Sequence, residues 1–161
     1  MTMVSSENLD AMESLQNLPT YTAGVAQSTA YRLLRKFTED CISQHDLTMM
    51  QWYIIGTVYE AGSEGPTISD LARLLDTTLP YVTNSINMLE SRGIVERVAS
   101  KNDSRVKRVI LVPRHVAMVQ QIEQDMRVKM RDTLYQNIEP KELLIYVKVL
   151  FKINALLDQT H

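Results

Sequence analysis

Apolar residues recur every three to four positions over most of the chain, which is the period of helices that bury one face. The spacing predicts a long helix over residues 22–45 and a second over 49–61. A short helix follows from about residue 67, with Leu71, Leu74 and Leu75 as its core positions. Three more are expected over 79–92, 114–136 and 140–159, and Leu9, Met12, Leu15 and Leu18 indicate a short one within residues 1–18.

The helical period stops after Gly93 and a strand-like pattern replaces it. Residues 94–98 and 105–112 have the composition of two strands, and the polar residues 100–104 between them favour a turn. End signals support the helices on either side of this point. Thr48 can cap the second helix, Thr67 to Asp70 has the form of a capping box, Pro80 suits a first helical turn, and Gly93 suits a C-terminal cap.

The order of these elements predicts a fold that is mainly α with a small β-wing. A short helix, a tight turn, a helix that buries Val82, Ile86 and Leu89, and a two-stranded hairpin make a winged helix-turn-helix. We therefore expect an N-terminal arm and helix over 1–46, a DNA-binding lobe over 47–112 and C-terminal helices over 113–161. In the last helix, Leu143, Val147, Leu150, Asn154 and Leu157 repeat near 3.5 residues. This suits packing on a second subunit, or equally within one chain.

The charge of the chain is unevenly distributed. The whole sequence has a net charge of -2, whereas residues 91–114 hold seven basic and two acidic residues, which leaves +5. Phosphate binding depends on the local field, so this segment favours nucleic acid; a solvated basic hairpin is the alternative. A single cysteine excludes an internal disulfide framework, and the chain shows neither a basic signal start nor an apolar run long enough to span a membrane. These features predict a cytoplasmic protein.

The residue types on the predicted helix over 79–92 suit the reading of DNA bases. Its outer face carries Thr78, Tyr81, Thr83, Asn84, Asn87 and Met88, which are uncharged and mostly hydrogen-bonding. Asn can pair bidentately with adenine, and Thr can contact a base or a thymine methyl group. Thr77, Thr78 and the free N–H groups beside Pro80 can hold phosphate. Plain solvent exposure is the alternative for each of these residues.

The turn of the predicted hairpin adds cations to this face. Its sequence runs from Lys101 through Asp103 to Arg105, with Lys107 on the returning strand. Arginine is the preferred side chain for a narrow minor groove, because the groove concentrates negative potential. Asp103 can orient the Arg105 guanidinium through a charge-assisted hydrogen bond. The alternative is a surface ion pair that only stabilises the hairpin.

Four stretches in this order resemble the MarR family, and the resemblance covers nearly all of the chain. They are LTMMQW at 47–52, ISDLARLL at 68–75, residues 82–97 with LESRGIVER at their core, and DSRVKRVIL at 103–111. The resemblance implies a homodimer that binds a palindromic operator, with dimerisation helices within 1–46 and 113–161. It also implies that Arg105 enters the minor groove and that residues 81–87 read bases. Two features depart from the family: Asn84 stands where many members have arginine, and VPRH at 112–115 replaces a threonine followed by a nearby glycine.

The resemblance also implies a pocket for a small aromatic or apolar effector between the two lobes. Its candidate lining residues are Tyr31, Arg35, Trp52 and Tyr53, with Met118 and Met126 as further candidates. Aromatic and methionine side chains suit an adaptable apolar pocket, although such residues usually build core.

Other chemistry is weakly supported. Cys41 and His45 stand one helical turn apart and could share a metal, but no third ligand lies nearby in sequence, so no metal or cofactor is predicted. No cation stands beside Cys41 in sequence to activate it as a thiol switch. No phosphate loop or nucleophile motif indicates an enzyme. A winged-helix module used only for protein interaction remains the alternative function.

Overall fold

The computed structural model describes residues 19–156, and the predicted helix within 1–18, Leu157 and His161 lie outside this range. The described chain is mainly helical with one two-stranded antiparallel sheet, as predicted. Its elements in chain order are α1 (Thr20–Ser43), α2 (Met49–Ala61), α3 (Ile68–Leu74), α4 (Leu79–Ser91), β1 (Val95–Ala99), β2 (Lys107–Leu111), a 3-10 turn (Pro113–His115), α5 (Val116–Thr133) and α6 (Pro140–Asn154).

Side-chain caps fix where α2 and α3 begin. The Thr48 hydroxyl accepts a hydrogen bond from the Gln51 backbone N–H, and the Gln51 side chain accepts one from the Thr48 backbone. Thr67 and Asp70 form the same reciprocal pair at α3, which confirms the predicted capping box. Hydrogen bonds from Thr67 hold the pKa of the Asp70 carboxyl below its usual value, with smaller contributions from nearby arginines. Each box satisfies N–H groups that have no partner within the helix.

The sheet is a hairpin that also bonds to the loop before α3. Its register pairs Val95 with Leu111 and Ala99 with Lys107. On the other edge of β2, the Val109 N–H donates to the Pro66 carbonyl at 2.9 Å. The Arg108 guanidinium donates to the neighbouring Gly65 carbonyl at 2.7 Å. The wing is therefore tied to the start of the helix-turn-helix by backbone as well as by side-chain bonds.

One continuous apolar core joins α2, α3, α4, the sheet and α5. The predicted core residues of α4, Val82, Ile86 and Leu89, are fully buried there, and so is Leu71 of α3. The prediction for Leu74 is wrong, since its side chain is 67% exposed. At 100° per residue, Leu74 lies roughly 110° from the centre of the buried face of α3. It therefore falls outside the narrow face that this seven-residue helix buries.

The long helices differ from their predicted bounds and expose apolar side chains. α1 ends at Ser43 and not at residue 45, α5 begins at Val116 after the 3-10 turn, and α6 ends at Asn154. The N-terminal half of α1 and most of α6 lie outside the core. Among residues 19–156, no helix combines the length and the apolar character needed to cross a membrane.

Two glycine-to-alanine substitutions should have opposite effects on stability. A Cβ at Gly65 would collide with the Val109 carbonyl oxygen, and the backbone φ there is +56°. We expect Gly65→Ala to lower the free energy of unfolding by more than about 2 kcal/mol, because the strand must move and the residue is strained.

Gly56→Ala is the matched control, since it lies inside α2 with open space around its Cβ position. This change should raise the free energy of unfolding by up to about 1 kcal/mol through helix propensity. Urea denaturation measures both, and equal midpoints for the two variants would contradict the proposed anchoring of the wing.

Candidate DNA interface

The turn between α3 and α4 has a defined hydrogen-bond pattern. Asp76 adopts a left-handed conformation with φ of 46°. Its N–H donates to the Arg73 carbonyl, and the Thr77 N–H donates to the Ala72 carbonyl at 3.0 Å. This is a Schellman motif, which closes the end of α3 and reverses the chain into α4. Gly93 ends α4 in the same way, with Ile94 bonded to the Leu89 carbonyl.

The predicted DNA-reading residues lie on the exposed side of α4. The side chains of Thr78, Pro80, Tyr81, Asn84 and Asn87 are exposed, while Thr77 and Thr83 are half-buried. Thr78 occupies the N-cap position without using its hydroxyl as a cap. Its hydroxyl and the first N–H groups of α4 are therefore available to an anion at the helix start.

The second half of α4 is linked to the wing. Arg97 of β1 donates from Nη1 to the Glu90 carboxylate and from Nη2 to the Asn87 Oδ1, the latter at 2.7 Å. The Arg97 backbone N–H also donates to Glu90. From the sequence alone, Arg97 is only one of the seven cations of the basic segment. Nothing in the spacing of residues 87, 90 and 97 indicates this contact, because it forms across two elements.

The wing tip has a different internal bond from the one predicted. The Asp103 carboxylate accepts a hydrogen bond at 2.9 Å from the backbone N–H of Arg105, and the Asp103 carbonyl accepts one from Val106. It does not hold the Arg105 guanidinium, so the predicted charge-assisted pair is absent between these two described residues. Asp103 therefore shapes the turn, and the Arg105 side chain extends into solvent.

The seven cations of residues 91–114 fall into two groups. Four hold the fold together: Arg92 donates to the carbonyls of His45 and Asp46, Arg97 binds Glu90, Arg108 binds Gly65, and Arg114 binds the Gly93 carbonyl. The other three, Lys101, Arg105 and Lys107, are exposed, and their side chains form no hydrogen bond or ion pair with any residue in 19–156. The available positive charge is therefore concentrated on the wing.

Comparison with known proteins places this lobe in a family. A family model described as the MarR family matches residues 45–106, which include α2, the helix-turn-helix and most of the wing. Over α2, the helix-turn-helix and most of the wing, the chain is thus similar to the MarR family. A curated relative from Bacillus subtilis (strain 168), described as the uncharacterized HTH-type transcriptional regulator YsmB, is 24% identical over 121 residues, which cover 75% of this chain and 81% of that protein.

Solved structures share the fold of this chain. A mutant MarR from E. coli complexed with operator DNA superposes with a TM-score of 0.68 at 23% identity, and the match covers 81% of this chain and 91% of that one. CouR from Rhodococcus jostii RHA1 bound to p-coumaroyl-CoA gives a TM-score of 0.75 at 14% identity, with coverage of 88% and 95%. At these identities the likeness establishes the winged-helix fold.

The structure brings together three of the four residues predicted for a ligand pocket. Burial raises the pKa of the Tyr53 phenol, which nearby Tyr31 raises further and Arg35 lowers. Arg35 donates to Glu39 at 2.9 Å, and this bond raises the pKa of the Arg35 guanidinium. Trp52, the fourth residue, packs in the core. Tyr31, Arg35 and Tyr53 thus form one cluster on α1 and α2, hereafter the tyrosine-arginine cluster.

A separate cavity of about 160 Å³ lies where α5 turns into α6. Of the residues predicted for a ligand pocket, Met126 lines it, and the tyrosine-arginine cluster does not. Cys41 lies near the C-terminal end of α1 and is buried in the core; burial raises the pKa of its thiol, with a smaller opposing effect from Lys129. Within residues 19–156, Cys41 and His45 belong to no group of three metal-ligating side chains.

Proposed function

We propose that this MarR-family regulator binds a palindromic operator as a homodimer in the cytoplasm and acts as a repressor. The observation that carries the proposal is the three exposed cations of the wing beside the uncharged, hydrogen-bonding face of α4. An exposed helix face of this kind fits the major groove, and wing cations fit the phosphates and minor groove beside it. The E. coli MarR mutant in complex with operator DNA supports the same use of this fold.

We propose separate tasks for the parts of the interface. The start of α4, with Thr77, Thr78 and Pro80, meets a phosphate at the positive end of the helix dipole. Tyr81, Thr83, Asn84 and Asn87 face the base edges. Lys101 and Lys107 contact phosphates, and Arg105 extends from a turn that Asp103 holds in shape. A regulator that acts by binding in this way needs no catalytic group, so we propose no enzymatic activity.

Arg105→Ala should weaken operator binding by at least about tenfold, because both wings of the dimer lose a minor-groove cation. Fluorescence anisotropy against the DNA upstream of its own coding sequence, at several salt concentrations, measures this effect. The slope of log affinity against log salt should also decrease by about 1 for each wing. Arg127→Ala is the matched control, since Arg127 is an exposed arginine of α5 paired with Glu123. Equal losses in the two variants would rule out a specific role for the wing.

The protein-interaction module is the second candidate, and one observation favours it. Leu79, Tyr81 and Met88 are apolar side chains about half-exposed on α4. Under this alternative the protein would show no salt-dependent binding to duplex DNA, and Arg105→Ala would have no effect. The same anisotropy titration therefore separates the two functions.

Dimerisation through residues 1–46 and 113–161 is supported by the exposed apolar side chains of α1 and α6. In the described chain none of the residues of α6 is buried, and its apolar side chains Ile145, Phe151 and Ile153 are each at least half exposed. Exposed apolar area of this extent usually marks an interface in a soluble protein. A two-fold dimer would place two α4 helices on successive major-groove faces, which is the geometry that a palindrome requires.

Phe151→Asp should convert the dimer to monomer at micromolar concentration and abolish tight operator binding. Phe151 is 70% exposed in the single chain, so the substitution should leave the protomer folded. Sedimentation velocity measures the mass, and far-UV circular dichroism checks the fold. Lys148→Ala, at an exposed polar position on the same helix, should remain dimeric. A dimeric Phe151→Asp protein with full affinity would disprove this interface.

An effector that releases the operator is proposed to bind at the tyrosine-arginine cluster. The cluster lies on α1 and on the exposed side of α2, whose other side is core. A small aromatic molecule bound here would contact both lobes and could change their relative placement. The description of CouR bound to p-coumaroyl-CoA supports an aromatic ligand on this fold.

Trp52 provides a direct measurement of effector binding, because it is the only tryptophan and is adjacent to Tyr53. Titration with a series of aromatic carboxylates, benzoate first, should change its fluorescence saturably and reduce operator affinity. Tyr31→Ala should weaken the active compound about tenfold. Tyr21→Ala removes an exposed tyrosine of the same helix and should have no effect. If the two variants respond identically, the site lies elsewhere.

A further inference from the structure

The contact between Arg97 and Asn87 determines which group of Asn87 faces solvent. An arginine side chain has five N–H donors and no acceptor. The Asn87 atom that lies 2.7 Å from Nη2 must therefore be the carbonyl oxygen Oδ1, since the amide nitrogen would place donor against donor. The amide NH₂ group is on the other branch of the side chain, and Asn87 is exposed.

Arg97 is itself held in place. Its backbone N–H donates to Oε1 of Glu90 and its Nη1 donates to Oε2 of the same carboxylate, one helical turn after Asn87. The Arg97 side chain is only 24% exposed. A planar guanidinium can bind a carboxylate with one nitrogen and an amide oxygen with another, whereas a lysine ammonium is a point charge on a flexible stem. The orientation of Asn87 thus depends on an arginine at position 97.

We propose that Asn87 acts toward DNA only as a hydrogen-bond donor, with Arg97 as its positioning residue. This inference rests on the proposed DNA-binding function. Bidentate reading of adenine needs the asparagine oxygen to accept from N6 while the nitrogen donates to N7. The bond from Arg97 takes one lone pair of the oxygen and holds it toward the guanidinium, so the oxygen is not placed to accept from adenine N6 and Asn87 does not select adenine. Its NH₂ group contacts an acceptor, which is either a phosphate oxygen or a base acceptor such as guanine O6, guanine N7 or thymine O4.

Selection of operators from a randomised duplex library by the full-length dimer tests the proposal. The wild-type protein should show no adenine requirement that depends on Asn87. Any adenine requirement in the selected operators should therefore persist in Asn87→Ala. If Asn87 contacts a base, Asn87→Ala should relax a guanine or thymine preference at one position of each half-site. If it contacts phosphate, Asn87→Ala should weaken all operators equally and leave the preferences unchanged. An adenine preference that disappears in Asn87→Ala, or no change of any kind, would disprove the donor role.

Arg97→Lys tests the positioning role, because lysine can keep the ion pair with Glu90 and release Asn87. This variant should gain an adenine preference of roughly five- to hundredfold at the position that Asn87 reaches. The double variant Arg97→Lys with Asn87→Ala should lack that preference. An Arg97→Lys profile identical to the wild type would refute the positioning role, since a purely structural effect lowers affinity without changing base preference.

Asn87→Asp gives a readout that does not depend on how Arg97→Lys folds. The carboxylate keeps the bond to Arg97 and replaces the NH₂ group by an acceptor. It should therefore lower operator affinity more than Asn87→Ala does, without lowering the thermal midpoint. Wild-type affinity in Asn87→Asp would contradict the proposal. If the wild-type dimer selects no sequence and binds no duplex, the proposed function itself fails.

Discussion

The structure depends on the burial of α2, which contacts α1, α4, α5 and β2. Ile54, Ile55 and Val58 are fully buried, so this short helix has almost no free apolar side. A helix buried on most of its surface must be matched by apolar faces on its neighbours, since each buried aliphatic side chain contributes about 1.5–3 kcal/mol. α4 supplies one of these faces. Its inward residues fix its rotation, and that rotation decides which side chains reach the solvent.

The same burial connects the proposed sensing and DNA-binding functions. Tyr53 lies on the exposed side of α2, beside Tyr31 and Arg35 of α1, and the opposite side of α2 packs against α4. A densely packed core transmits small displacements, because it has no free volume to absorb them. An effector at the tyrosine-arginine cluster would thus act one helix away from the DNA-reading surface. The contact between α2 and α4 is enough to connect the two sites.

Charge is partitioned in a way that reconciles an acidic chain with an anionic partner. Three of the four arginines that stabilise the fold bind backbone carbonyls, which satisfies their donors without cancelling their charge. Arg97 alone in this group pairs with a carboxylate. The wing lysines and Arg105 stay exposed at the outer edge. Attraction to phosphate is then confined to the wing. The rest of the chain carries net negative charge, which repels phosphate and limits nonspecific binding.

Much of the architecture could be predicted from local sequence because its determinants are local. Capping pairs three residues apart, the left-handed Gly93 and the change from a helical to a strand period each act within one turn of the chain. They determined the order of the elements, the two helix starts and the inward face of α4. The exposed side of α4 follows from that inward face, so most candidate DNA-contacting residues were also accessible to sequence reasoning.

Tertiary structure decided what depends on residues distant in sequence. Leu74 is exposed because the short helix α3 buries only a narrow face. The wing turn bonds Asp103 to a backbone N–H and leaves the Arg105 guanidinium exposed. Asn87 was expected to pair with adenine, but the bond from Arg97 of β1 directs its oxygen toward the guanidinium and leaves its NH₂ donor for DNA. The sequence alone determined which residues lie on the exposed face of α4. Contacts between elements decided which hydrogen-bonding groups of those residues stay available, because local spacing does not encode where a partner lies in space.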